Sequence, residues 1–257
     1  MVKSLLSNSD VDLYSTMFKR KSIRKYDQSS LDDSLLNSIS EHIHDLTPLY
    51  PDIKTEVKII SSDDVNLRGM KRAPHYLAVF SENKKGYLTN LGFMIQELDL
   101  LFSESGIGSC WQGIPNPKGK VKKSSDLKFI ILIAFGYPEE PLYRDSTGEF
   151  KRKSIQKITD INDTEELLEP VRLAPSAINS QPWFFTGTKN VIQVYSKTNF
   201  LKAILVKKYI PIDIGIAIYH LKVAAEHFGN KIEIIFDEPE TNLKGYKYFA
   251  TVKCIKN

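Results

Sequence analysis

The chain spells out one order of elements twice. "RKSIRKY" at 20–26 returns as "RKSIQKI" at 152–158. Each copy is followed by an acidic amphipathic stretch, "SLDDSLLNSISEHIHDL" in one half and "DTEELLEPVRL" in the other. Two strand-like runs come next, "TEVKIIS" and "HYLAVFS", matched later by "WFFTG" and "VIQVYS". A long helical segment follows, "LTNLGFMIQELDLLFSESGIG" against "IPIDIGIAIYHLKVAAEHFGN", in which Gly92 and Gly106 match Gly215 and Gly229 at one constant offset. The closing strands are "KFIILIAFGYP" and "YKYFATVKCIK". This order predicts an α+β fold of two tandem half-units, helix–β–β–helix–β, the first over residues 1–145 and the second over 146–257.

Most soluble oligomers are twofold dimers with self-complementary interfaces. A tandem copy can build a comparable interface inside one chain, so the expectation is a pseudo-dimer of antiparallel or mixed sheets packed by the long central helices. Those helices are apolar on more than one stripe, through Leu91, Ile95, Leu98, Leu101 and Phe102 in one and Ile214, Ile218, Leu221 and Ala225 in the other. That breadth suits a helix that packs on a sheet and on its counterpart at once.

Composition narrows the class. With 257 residues, 42% hydrophobic and 26% charged, the chain has the make-up of a soluble globular protein. Its net charge of +4 is mild, and only "KGKVKK" at 118–123 is a dense basic cluster. A basic stripe or nucleic-acid motif is missing, so nucleic acid is not an expected partner. The balance does suit small anionic ligands. Cys110 and Cys254 form no CxxC and no zinc spacing, which reads as free thiols in a reducing cytoplasm. The longest apolar run, "FIILIAF" at 129–135, is far too short for a membrane span and reads as a buried strand. No metal site is expected: His42 and His44 cannot share a helix face, and His220 and His227 lack a carboxylate companion.

The differences between the halves say more about chemistry than the similarities. Arg20, Ser22 and Arg24 alternate along an extended arm and can point to one side. The second copy has Gln156 in place of Arg24. Conversely, only the second half carries "APSAINSQPW"; the matching stretch of the first is "LTPLYPDIK". One half keeps a cationic arm and the other a small-residue loop, which predicts a single functional site per chain if the two meet in one cleft. Arg20 and Arg24 with the Ser22 hydroxyl form an anion clamp, because guanidinium forks pair with phosphate oxygens. Arg152 and Lys153 add positive charge. In the loop, Pro175 and Pro182 stiffen the backbone, Ser176 and Ala177 allow close approach to a flat ligand, and Asn179 and Gln181 offer donor–acceptor edges. Trp183 would anchor the loop in the core. The set describes a site for a phosphorylated, planar, hydrogen-bonding molecule such as flavin mononucleotide.

"RKSIRKYD", "APSAINSQPWFF", "SGIGSCWQG" and "AFGYPEE" followed by "FKRK" together resemble the FMN-dependent nitroreductase family, over essentially the whole chain. In that family the second motif normally follows the first within about one helix. Here it lies in the other half, which is similar to the internally duplicated branch of putative nitroreductases. The resemblance implies a nitroreductase-like fold in which Arg20, Lys21 and Ser22 bind the phosphate and ribityl region of FMN. Arg24 would reach the pyrimidine edge of the ring. Pro175, Ser176, Ala177, Asn179 and Gln181 would line the ring, and Gly106, Ile107 and Gly108 would present backbone near it. Arg152 and Lys153 would close the phosphate site. The implied enzyme is a cytoplasmic NAD(P)H oxidoreductase reducing nitro, quinone or similar small-molecule acceptors by a ping-pong hydride mechanism. The flavin carries the chemistry, so no catalytic side chain is named. A flavin-binding sensor or carrier without turnover is the alternative, and a monomer is favoured over a homodimer.

Overall fold

The computed structural model describes residues 11–197, 206–239 and 243–256. Its elements fall into two compact units. The first comprises Met1–Tyr87 and Glu97–Asp145, the second Leu88–Gln96 and Ser146–Asn257.

The first unit opens with α1 (Leu13–Met17) and α2 (Asp33–Asp45). Then come β1 (Thr55–Ser61), the two-residue β2 (Val65–Asn66) and β3 (His75–Ser81). The long helix α3 (Tyr87–Glu104) leads to β4 (Gly108–Gln112), β5 (Asn116–Pro117), the one-turn α4 (Gly119–Lys122) and β6 (Lys128–Gly136). Its main sheet has the order β1-β3-β6-β4, and every pairing is antiparallel. The apolar run within β6 lies at the centre of that sheet, and every residue of β3 is buried. Ile23 and Tyr26, from the "RKSIRKY" arm, join Tyr76, Phe80, Leu132 and Ala134 in the core. A fully buried Ile contributes about 1.5–3 kcal/mol, so the apolar residues of the arm fasten it while its cations alternate with them.

The second unit contains α5 (Glu165–Arg172), β7 (Trp183–Thr188), β8 (Val191–Ser196), α6 (Ile210–His227), β9 (Asn230–Ile235) and β10 (Lys247–Lys256). Its sheet runs β7-β8-β10-β9, again wholly antiparallel. In both sheets two consecutive strands pair, the last strand sits inside, and the strand before it forms an edge.

Each sheet therefore has four main strands where the sequence suggested three. "GSCWQ" has poor strand propensity, and it is extended because it pairs with β6, from Gly108↔Gly136 to Gln112↔Leu132. Tertiary pairing overrides local preference here. Two glycines make the reversal before each extra strand possible. Gly106 (φ 82°) and Gly229 (φ 73°) follow the last turns of α3 and α6, in the left-handed conformation that ends helices at low steric cost.

Within the second unit, residues 88–96 of α3 cross α6 at two glycines. A Cβ on Gly92 would lie 2.1 Å from the Ile212 carbonyl oxygen, and one on Gly215 would lie 2.1 Å from that of Thr89. Backbone meets backbone at both places. Phe93 and Tyr219 pack edge to face beside the crossing, with ring centroids 5.3 Å apart. Among the described residues no helix is long and apolar enough to cross a membrane.

Candidate functional site

In the first unit, the arm from Arg20 to Tyr26 lies beside residues 137–144. Arg20 bridges Tyr143 and Tyr26 bridges Pro138, both antiparallel. Ile23 N–H donates to Ser109 O at 2.9 Å, and a Cβ on Gly108 would collide with the Ile23 side chain. Gly108 thus lets the arm lie tight on β4. The Ile107 amide donates to Phe102 O at 2.8 Å and the residue is fully buried, so that N–H serves the end of α3.

The arm's three polar residues have different surroundings. Arg20 is buried, with Nε 3.1 Å from Asp99 Oδ2 and Nη2 3.2 Å from Ser22 Oγ. Asp99 also accepts from Ser109 Oγ at 2.6 Å. A buried charge needs such partners, and here they fix the root of the arm. Arg24 is exposed; its N–H donates to Glu140 Oε1 at 2.8 Å and Nη1 lies 3.4 Å from Ser22 O. The Arg24 N–H bond, with that of Lys25 and the nearby lysines, holds the Glu140 carboxyl below its usual range. Lys21 is half-buried on the same arm. Burial pushes the Cys110 thiol up, against the pull of Arg24 and Arg20. Such a thiol is a poor nucleophile.

In the second unit the structure gathers Arg152, Lys153 and the loop after α5 into one hydrogen-bonded cluster. Arg152 donates to Asn179 Oδ1, and at 3.0 Å to both Phe150 O and Leu173 O. Asn179 Nδ2 donates to Lys151 O at 3.0 Å. Lys153 donates through its amide to Gln181 Oε1 at 2.7 Å and through Nζ to Gln181 O at 2.6 Å. The Gln181 amide nitrogen donates to Asn179 O and Oδ1, both at 3.1 Å, and Gln181 N–H donates to Ser176 Oγ at 2.9 Å. Gln181, only 4% exposed, therefore uses its side chain to build the loop. Pro175 and Trp183 are buried and anchor its two ends.

The loop is held in an unusual conformation. Ile178 (φ 46°), Asn179 (φ 57°) and Gln181 (φ 47°) all lie in the left-handed region. A β-branched residue there is a true outlier, yet the Ile178 side chain is 67% exposed and gains little from packing. Strain of this kind persists only where surrounding contacts impose it.

Two contributors escaped the sequence reading. Asp213, on the first turn of α6, accepts from Ala177 N–H at 3.0 Å and from Ser180 Oγ at 3.3 Å. Burial raises its carboxyl to about 8, although both hydrogen bonds pull the other way. A lone Asp within an apolar helix was the available signal. Arg172 pairs with Glu169 and donates to Lys153 O at 3.2 Å. A cavity of about 350 Å³ in this unit is lined by Glu166, Lys189, Asn190, Phe228, Cys254 and Lys256 among others, and by none of the expected site residues.

The chain is similar in fold to a solved structure from Thermotoga maritima MSB8, described as a putative nitroreductase. The TM-score is 0.62 at 22% identity, over 96% of this chain and 95% of that one. An FMN-dependent nitroreductase from Clostridium difficile R20291 aligns with 53% of this chain and 94% of its own, at TM-score 0.42 and 20% identity. A putative NADH oxidase from Clostridium acetobutylicum aligns with 57% of this chain and 97% of its own, at 0.41 and 17%. None of the curated proteins matches the sequence. A family model described as "Putative TM nitroreductase" matches residues 12–225, which is most of the chain and includes both the arm and the loop, and on that ground the chain belongs to this nitroreductase family.

Proposed function

We propose that the chain is an FMN-dependent NAD(P)H oxidoreductase that reduces nitro, quinone or similar small-molecule acceptors. Family membership over residues 12–225 carries the reading, since it supports oxidoreductase activity. The donor set suits FMN. Guanidinium and ammonium groups pair with phosphate; in the first unit Arg24 and Lys25 of the arm are exposed, and in the second Lys151 and Lys153 are. In the first unit Lys21 and Ser22 are half-buried on the same arm; in the second, Arg152 is half-buried and Pro175, Ser176 and Ala177 are compact enough to admit a flat ring. Arg20 is buried and charge-compensated by Asp99, so its contribution is to hold Ser22 in place. Asn179 keeps an exposed side chain even while bonded to Arg152 and Lys151.

FMN, if bound, would supply the hydride and electron-transfer chemistry between NADH or NADPH and the acceptor, and the chain's residues its position and electrostatics. An exposed cation such as Arg24 would pair with a polar or anionic group of the cofactor. The strained loop would exclude water from one face through its small residues and Ile178.

The test is direct. Purified chain titrated with FMN should bind about one equivalent, and the holoprotein should oxidise NADH or NADPH in proportion to an added quinone or nitroarene. Failure to bind FMN would overturn the reading. Bound flavin that dithionite reduces but neither nicotinamide does would replace it with a carrier or sensor.

A further inference from the structure

We propose that Asp213 is a positioning residue, clamping the 175–181 loop from the first turn of α6 in the conformation that receives FMN. The inference rests on the proposed flavin reading and adds to it a residue with no part in the recognised motifs.

The argument begins with what α6 needs for its own packing. Its other first-turn residues are Ile210, Pro211, Ile212 and Ile214, and nearly all of the helix is buried. An apolar residue at 213 would serve that packing, and an isolated carboxylate costs free energy in such surroundings. Asp213 is 2% exposed, and both its oxygens are directed at the loop. Oδ1 takes the Ala177 amide at the start of a short helical turn spanning Ala177–Asn179, and Oδ2 takes the hydroxyl of Ser180 immediately after it. The turn is closed by Ser180 N–H donating to Ala177 O at 3.0 Å. One side chain therefore holds both ends of the segment that contains Ile178 and Asn179, two of the three residues at positive φ.

Arg152, Lys153 and Gln181 bind the C-terminal part of the same loop, and only Asp213 reaches Ala177 N–H among the described hydrogen bonds. Without it the turn keeps its Asn179 and Gln181 bonds but loses the anchor of its first residue. That anchor sets the direction in which Ser176 and Asn179 project. The Ala177 amide is itself committed to Asp213, so Ala177 serves the ligand by its small size and not as a donor.

Hydrogen exchange of the loop and FMN affinity, measured on the full chain, test this together. Asp213→Ala should speed exchange of the peptide covering Ala174–Pro182 by about tenfold or more, as expected when an anchored segment is released to local opening. The FMN dissociation constant, read by flavin fluorescence, should rise up to about tenfold as well, the scale of one hydrogen bond. Asp213→Asn keeps an oxygen for the Ala177 amide and should rescue both readouts. Unchanged exchange in folded Asp213→Ala overturns the clamp, and faster exchange with unaltered FMN affinity overturns its link to the flavin. If Asp213→Ala does not fold, Ser180→Ala decides: it should loosen the same peptide and weaken FMN, and wild-type behaviour there overturns the proposal. A wild-type chain that binds no FMN sinks the functional reading, a result distinct from any of these because the exchange comparison needs no flavin.

Discussion

At the scale of single residues, Arg24 and Gln156 occupy matching places in the two "RKSI" arms, and only one of them is a cation. Arg24 stands exposed with its backbone pinned by Glu140, while Gln156 is equally exposed and neutral. Arg24→Ala should weaken FMN binding by about 1.5–3 kcal/mol, the worth of a charged hydrogen bond, and Gln156→Ala should change little. Fluorescence titration of both variants checks this, and equal losses would contradict the assignment. Asp213 gives a second residue-scale expectation. Its folded carboxyl is raised by burial from the ordinary carboxylate range to about 8. The folded chain thus holds a proton that the unfolded chain releases, and stability falls as pH rises from about 4 to about 8. Each pKa unit corresponds to about 1.4 kcal/mol, so the change amounts to several kcal/mol across that window. Asp213→Asn lacks the titration and should gain on the wild type steadily over the same range. Parallel urea-unfolding stabilities of the two proteins from pH 5 to 9 would refute it.

Among elements, the crossing of α3 and α6 is the contact least able to accept change. At Gly92 and Gly215 the obstacle to a Cβ is a backbone carbonyl, which has no rotamer by which to move away. Gly92→Ala and Gly215→Ala should each cost about 1–3 kcal/mol or more, as overpacking does. Gly119, in the one-turn helix α4, has nothing within 4 Å of the added atom and should accept Ala without loss. Chemical denaturation of the three variants separates these outcomes. Both glycines were visible in the sequence as a matched pair, but a repeat cannot say why a residue recurs. The strands β4 and β9 were harder to see. "GSCWQ" carries no strand preference, and "NKIEII" alternates only weakly beside the end of a helix. Both are edge strands whose extension depends on partners far along the chain.

For the whole molecule, the two units carry sheets of the same strand order, and residues 88–96 of α3 group with the second unit. We expect the chain to be monomeric in solution and to bind one FMN per chain. Size-exclusion chromatography with light scattering, joined to flavin absorbance, checks both numbers; a stable dimer with two flavins per chain would contradict them. Family membership supports the oxidoreductase class at this scale.

Periodicity and repetition in the sequence determined the α+β class, the long helices and the central apolar strands, and its residue types offered Arg152, Lys153 and the proline-bounded loop as candidate polar groups. These are local properties, because each helix or strand writes its burial pattern into neighbouring letters. Only the tertiary structure decided what those polar groups do. It joined Arg20 to Asp99, gave Gln181 to the loop's own hydrogen bonds, committed the Ala177 amide, and brought Asp213 from a distant helix to hold it. A hydrogen bond is a relation between two places, and its partner cannot be read from one position in the chain.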